Sequence, residues 1–314
     1  MKKILAPVLT VIIVVAGIIL GFLKGVDLSD NQLATLKILV IIFSCSVLYC
    51  FLVGEISRNN SQMDKLWSIL PVAYAWVIAI RGELTLRLVV MAIIVTLWGI
   101  RLTFNFARKG AYSIKFWSGV EDYRWIVLRN KKMFKSKIAW AMFDLFFISF
   151  YQNFLILSMT LPALVCMDST VSFGLFDIIA TVLCLLFLAI ETIADEEQWV
   201  FQTKKKELLA SGKKLEELPE PFNKGFNTCG LWSRSRHPNY LGEQGIWLSL
   251  YVFVLGLGVA HFGIFNWSIF GSLLIVLLFL GSSNFGENVS SSKYPEYKEY
   301  QKRVSKYIPL RKYE

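Results

Sequence analysis

The sequence predicts an all-α protein: a bundle of about eight membrane-spanning helices, seven to ten by the same criteria, with cytosolic loops and an interfacial helix at the C terminus. Three observations predict it. The chain is 55% hydrophobic with 24 Phe in 314 residues, which is richer than soluble domains tolerate. Its apolar residues gather into runs long enough to cross about 30 Å of hydrocarbon. Its Lys and Arg gather between alternate runs rather than across the whole chain.

The runs lie at 4–22, 36–53, 66–80, 86–106, 138–165, 173–194, 243–262 and 265–282. The first follows Met1-Lys2-Lys3 and has no small-residue cleavage site after it, so it reads as a retained span rather than a signal peptide. The run at 66–80 is short for a crossing. Several runs carry Gly or Pro, which lipid-embedded helices accept more readily than soluble ones. Five cysteines make an odd set without a CxxC pair, and four of them sit in or beside apolar runs, so packing is expected of them rather than metal or disulfides. The chain reads as one integral membrane domain over 1–314, with N-terminal helices over 1–190 and a denser C-terminal part over 191–314.

Charge orients the bundle. The segments 101–137, 195–243 and the tail after Gly281 hold 25 of the 33 Lys and Arg, whereas the connections 166–172 and 258–267 hold none. Basic loops stay in the cytoplasm, so the three segments share that face, and alternation of spans puts both termini there too. This distribution accounts for the net charge of +10 without a nucleic-acid partner. A monomer in the bilayer is the simplest expectation. His261, in the uncharged connection, reads as a surface residue.

One of the basic segments ends in GLWSRSRHPNYLGE (230–243), ahead of the seventh run. Pro238 suits a first helical turn, where its missing N–H would be unpaired in any case. A helix starting there would aim its N–H groups and positive dipole end at Arg234, Arg236 and His237, a donor set suited to a phosphate or carboxylate. Asn239 and Glu243 are four residues apart and share a face, with Tyr240 close by. Glu243 would lie at the membrane boundary, where an ionisable group needs a partner or a task. A collar that merely sets topology explains the arginines but not His237, Asn239 and Glu243 together.

Other polar residues could join this motif. Glu191 and Asp195, at i,i+4, close the sixth run and could accept ribose hydroxyl protons, or form an ordinary helix end paired with Lys204–Lys206. The tail SSKYPEYKEYQKRVSKYIPL spaces Tyr294, Tyr297 and Tyr300 by three, with Arg303 beside Tyr300. Such a helix lies on the membrane interface, or folds over a nucleotide as a lid whose rings stack and whose cations meet phosphate. In the N-terminal half, Asp64, Tyr74, Arg101, Asp144, Tyr151 and Gln152 are polar residues in or near spans, each a functional candidate or a structural hydrogen-bonding group.

The stretches ETIADEEQWVFQ, LWSRSRHPNYLGE and YPEYKEYQKRVSKYIP, in that order, resemble the DUF1295 family, a relative of the C-terminal domain of steroid 5-alpha-reductases. The resemblance runs from about Glu191 to the C terminus, with weaker echoes upstream in DKLWSILP, WGIRL, EDYRW and the Gln152–Pro162 stretch. It implies NADPH held by Asp195, Arg236, His237, Asn239, Tyr240, Glu243, Tyr300 and Arg303, which Arg234 joins from the reading of the helix start. The steroid-type reductases carry an NFLGE-like segment where this chain reads NYLGE. The implied reaction is hydride transfer to the β-carbon of an enone-like C=C in a steroid or other lipid entering from the bilayer. The implied acid comes from the N-terminal helices, where Tyr74, Asp64 and Gln152 are the candidates. No GxGxxG occurs, so helix ends and loops, not a Rossmann module, must hold the nucleotide. No metal is expected.

Two alternatives stand beside that expectation. Isoprenylcysteine carboxyl methyltransferases and phospholipid methyltransferases resemble the chain at RHPxYxG and use S-adenosylmethionine with a Glu pair. Here Glu287 stands without a neighbouring Glu. A lipid- or sterol-binding protein without catalysis is the other.

Overall fold

The computed structural model describes residues 28–259 and 264–310. The run at 4–22 and His261 lie outside the described residues. Within them, all regular structure is helical, apart from one isolated parallel bridge between Ser235 and Ser305. We number the helices α1 (Asp30–Ser57), α2 (Gln62–Leu66), α3 (Leu70–Arg81), α4 (Leu86–Ala107), α5 (Tyr123–Arg129), α6 (Lys137–Cys166), α7 (Leu175–Ala210), α8 (Pro238–Leu255), α9 (Phe270–Lys293) and α10 (Tyr297–Arg303). Six stretches of the described residues are long and apolar enough to span a membrane: α1, α2 with α3 (Gln62–Arg81), α4, α6, α7, and α9 with its preceding turn (Trp267–Lys293). The short run at 66–80 reaches spanning length because α2 adds a turn ahead of it. The run expected at 243–262 is instead the 18-residue α8. It starts earlier, on Pro238, and stops at Leu255, and its polar first turns keep it out of the spanning set.

Packing divides the chain into two compact units. One comprises the described residues up to Thr181 together with Leu250–Leu274; the other comprises Val182–Ser249 together with Ile275 onward.

Local chemistry sets the helix ends in the first unit. Ser29 caps α1 and forms a reciprocal capping box with Gln32. Pro71 opens α3, and the Asp122 side chain caps α5 by accepting from Arg124 N–H. In α6 the ladder widens to π geometry over Asp144–Tyr151. Ser149 Oγ donates to Asp144 Oδ1 at 3.1 Å across that five-residue spacing, and Asn60 Nδ2 donates to Asp144 Oδ2 at 2.7 Å. Asp144, Ser149 and Asn153 are therefore internal hydrogen-bonding groups of the bundle, the usual way a spanning segment tolerates them.

Two polar clusters hold this unit together. The segment Asn59–Lys65 is buried although it is almost wholly polar. It carries the connection between α4 and α6. Asn59 Nδ2 donates to the Gly119 carbonyl at 3.1 Å, Gln62 Nε2 to Trp117 O at 2.9 Å, and Lys65 Nζ to Phe116 O and Ser118 O at 2.7 Å each. The other cluster ties α4 to α7. Arg87, 5% exposed, meets Asp177, 2% exposed, through Nε and through Nη2 at 2.9 Å. Its remaining donors reach Val171 O at 3.0 Å and Ser172 O at 3.1 Å, and Asp177 Oδ2 also accepts from Gly174 N–H at 2.7 Å. A connection that contains no Lys or Arg of its own is thus closed by an arginine from a helix far away in sequence.

In the second unit α7 and α8 approach closely because glycines line the seam. A Cβ built on Gly242 would stand 2.5 Å from Glu191 Cβ and 2.8 Å from the Phe187 carbonyl oxygen; one on Gly245 would stand 2.3 Å from the Phe187 ring. Gly242→Ala is expected to destabilise the protein by about 1–3 kcal/mol, since the obstructing atoms are backbone or a Cβ fixed to it and cannot swing away. The gain in helix propensity, at most about 1 kcal/mol, does not offset this. Thermal unfolding in detergent checks it against Gly281→Ala, where an added Cβ meets nothing within 4 Å and no loss is expected.

Candidate functional site

The second unit contains every residue expected to bind the nucleotide. α8 begins on Pro238, and the His237 carbonyl accepts the first intrahelical bond, from Leu241 N–H at 3.0 Å. The residues just before α8 do not turn their donors outward. Arg236 N–H bonds Ser305 O at 3.0 Å and His237 N–H bonds Lys306 O at 3.1 Å, so the tail runs alongside the motif as a parallel strand pair one bridge long.

The two side chains between these bonds converge on Glu287 of α9. Arg236 Nε donates to Glu287 Oε1 at 2.8 Å, and His237 Nε2 lies 2.9 Å from the same oxygen. Gln301 Nε2 donates to Oε2 at 2.9 Å, while Arg236 Nη1 donates to Gln301 O at 2.9 Å and to Val304 O. The carboxylate facing Arg236 accepts only, so the His237 Nε2 carries the proton. Burial, the larger influence, holds the imidazole below its ordinary pKa, although Glu287 pulls it upward. The ring stacks on Tyr240 at 5.2 Å between centroids and 11° between planes, and Tyr240 rests on Phe279 at 4.4 Å. Burial pushes the nearby Tyr307 hydroxyl up to about 12, and that hydroxyl bonds Ser283 Oγ at 2.7 Å and Phe279 O at 3.0 Å.

This geometry changes the place of Arg236 and His237. The sequence offers them to an anion; in the structure they fasten the tail and α9 to the start of α8. Arg234, one turn before the helix, is the exposed arginine of the motif; its backbone N–H donates to Leu231 O at 3.1 Å, and its side chain makes no hydrogen bond or ion pair among the described residues. The tail also differs from the expected lid. The Tyr297 and Tyr300 rings point inward against Phe226, at 4.9 and 5.3 Å, and form an apolar cluster with Val304. Tyr300 is 1% exposed and its hydroxyl donates to the Trp232 carbonyl, so its ring has no free face to stack on a base. Arg303 is exposed and pairs with Glu299 at 3.0 Å. The spacing of three placed the rings on one face of α10 correctly; which way that face points is a tertiary outcome.

The opposite face of α8 keeps the arrangement read from spacing. Asn239 Nδ2 donates to Asp195 Oδ1 at 3.1 Å, and Gly242 lies on Glu191, so the first turns of α8 meet the i,i+4 pair of α7 along one seam. Glu191 and Glu243 are buried, and Glu243 Oε1 accepts from Trp247 Nε1 at 3.0 Å. The Asn239 Oδ1 is buried and has no hydrogen-bond donor. A buried acceptor in that state costs about 1–3 kcal/mol until a partner arrives. The loop ahead of the motif is clamped on α7: Glu197 Oε2 accepts from Leu231 N–H at 2.9 Å, and Trp232 Nε1 donates to Ala194 O at 3.0 Å.

The three expected catalytic residues lie in the other unit, and no hydrogen bond joins them to one another. Asp64 is a strut: Oδ2 accepts from Trp125 Nε1 at 2.7 Å and Oδ1 from Arg124 at 3.4 Å, which fixes α5. Gln152 is buried in α6. Tyr74 is fully buried in α3, and its hydroxyl has no hydrogen-bond partner. Sequence reasoning gave Glu287 no role of its own, though it carries the signal used for Glu243: a lone acid beside an apolar run. It missed Gln301 and Trp247, whose roles depend on which helices they meet. Among the described residues no cluster of His, Cys, Asp and Glu could hold a metal, and the five cysteines are free thiols, with Cys50, Cys166 and Cys184 buried.

Fold and site together define the class: an integral membrane protein of apolar helices, with a polar seam between two helix ends and a carboxylate-centred fastening beside it. The chain belongs to the family described as protein of unknown function (DUF1295), whose family model matches residues 50–304. It is also similar to an uncharacterized protein, C594.04c, of Schizosaccharomyces pombe, at 33% identity over 287 residues, covering 85% of this chain and 79% of the relative. No solved structure matches the chain.

Proposed function

We propose that the protein is a membrane reductase that uses NADPH to saturate an activated, enone-like C=C bond in a steroid or other lipid. The single observation that carries this reading is the buried Asn239 Oδ1, without a donor among the described residues, on an amide bonded to Asp195. An acceptor held open beside carboxylates fits a ligand rich in amide and hydroxyl donors, as a nicotinamide carboxamide and ribose are. Asn239, Asp195, Glu243 and the Tyr240 ring would hold that end of the nucleotide, and Arg234 is the exposed cation for its phosphates. Arg236, His237 and Glu287 act at one remove, by fixing where α8 begins. Tyr300 supports the fastened tail through its bond to the Trp232 carbonyl.

When bound, the nucleotide supplies the hydride. The chain's own residues orient it, exclude water and donate a proton. The basic segment 195–243, which carries the nucleotide seam, favours the cytoplasmic side in this reading.

Titration of the detergent-solubilised full chain tests it. NADPH is expected to raise the melting temperature, and Asn239→Leu to weaken its binding at least tenfold, about 1.4 kcal/mol. Stabilisation by S-adenosylmethionine instead would establish the methyltransferase alternative. No response to either cofactor, with Glu243→Ala silent in every assay, would leave a lipid-binding protein without catalysis.

A further inference from the structure

Between α4, which ends at Ala107, and α6, which begins at Lys137, lies a connection that is polar on its inner side and apolar on its outer side. Its inner side is nailed to the buried segment Asn59–Lys65 through the carbonyls of Phe116, Trp117, Ser118 and Gly119. Trp125 is likewise buried and bonded to Asp64. The outer side exposes Ile114, Trp117 and Val120, followed by Tyr123, Ile126 and Val127 on one face of α5. Ile114 is fully exposed, and Trp117 and Val120 are 53% and 62% exposed. Large apolar side chains held rigidly outward by a backbone pinned at four carbonyls are a built surface, not a loose loop.

Exposed lysines are interleaved with them. Lys115, Lys132, Lys135 and Lys137 form no ion pair among the described residues, whereas Arg124 and Arg129 of the same connection are occupied by Asp122 and Glu121. A connection between consecutive spans starts and ends at the same membrane boundary, so this surface lies within a helical turn or two of the lipid headgroups by covalent attachment alone. Apolar side chains among unpaired lysines at that depth match an interface of acyl chains below and anionic headgroups above.

We propose that the connection 108–136, with Lys137, is a docking platform for anionic phospholipid. Ile114, Trp117, Val120 and the Tyr123–Ile126–Val127 face of α5 sink to the acyl boundary. Lys115, Lys132, Lys135 and Lys137 bind headgroup phosphates. The platform is independent of the nucleotide reading, since its residues belong to the other unit.

The test uses the full-length protein in mixed micelles with equimolar phosphatidylglycerol and phosphatidylcholine, followed by native mass spectrometry of retained lipid. Wild type is expected to retain phosphatidylglycerol in roughly tenfold or greater excess, on the scale of several surface lysines acting together. The triple variant K132Q/K135Q/K137Q is expected to fall to near parity, and the control K204Q/K213Q/K214Q, with lysines exposed elsewhere, to keep the preference. In bilayers of brominated phosphatidylcholine, the fluorescence quenched should shrink in Trp117→Phe. Parity in the wild type, or an undiminished preference in the triple variant, overturns the proposal. So does a triple variant that loses NADPH affinity while keeping phosphatidylglycerol, which would make the lysines a nucleotide-phosphate patch.

Discussion

Arg87→Ala is expected to lower the unfolding free energy by about 3–5 kcal/mol, the range for removing one partner of a buried ion pair. The loss comes less from the missing attraction than from what remains. Asp177 would stay buried with only Gly174 N–H to hold its charge, and the Val171 and Ser172 carbonyls would lose their donor. Asp177→Ala should cost a similar amount, because the guanidinium would then sit among carbonyls without a counter-charge. Replacing both by leucine is expected to recover much of the loss, since paired apolar residues need no compensation. Denaturation of the detergent-solubilised variants measures all three. A double variant no better than either single one would mean that the carbonyl contacts of Arg87, not its charge pairing, hold the connection.

Glu287→Gln is the second substitution with a large expected effect, a loss of about 3 kcal/mol, because one carboxylate serves Arg236, His237 and Gln301 together. The amide keeps one acceptor and brings an N–H into a cluster made of donors. The tail would loosen from the start of α8, so limited proteolysis should cut after Lys293 sooner than in the wild type. Nucleotide binding, if the proposed reading holds, would weaken with it. The same cluster sets an acid limit on stability. The folded His237 is held below its ordinary pKa of about 6.5, while the unfolded chain protonates there. The unfolded state therefore binds the extra proton first, so this contribution is complete above pH 6.5 and is lost as pH falls toward the folded value. Melting temperature should decline from pH 7 to pH 5, and His237→Phe should flatten that part of the profile.

Much of the candidate site was legible because it depends on spacing along single helices. Asn239 with Glu243, and Glu191 with Asp195, share faces by the period of the α-helix, and the structure brings Asn239 onto Asp195 and Gly242 onto Glu191. Pro238 marked the first turn for a reason internal to the backbone. The tail was half legible: spacing put Tyr297 and Tyr300 on one face, but only the presence of Phe226 decides that this face is core. Asp64 shows the limit from the other side. An acid near a span reads as a functional candidate, and its task turned out to be holding Trp125, a residue 61 positions away.

By itself the sequence determined the class of the protein, the places of its apolar helices and the polar faces that single helices carry, because hydropathy and helical period are properties of neighbours in the chain. Only the tertiary structure decided which charges are spent inside the fold. Arg236 and His237 read as donors waiting for an anion until Glu287, 50 and more residues on, was found to accept from both. Arg87 had no apparent task until Asp177 stood opposite. A charged side chain is available or committed according to what lies within about 3 Å of it, and that distance is fixed by the packing of helices remote in sequence.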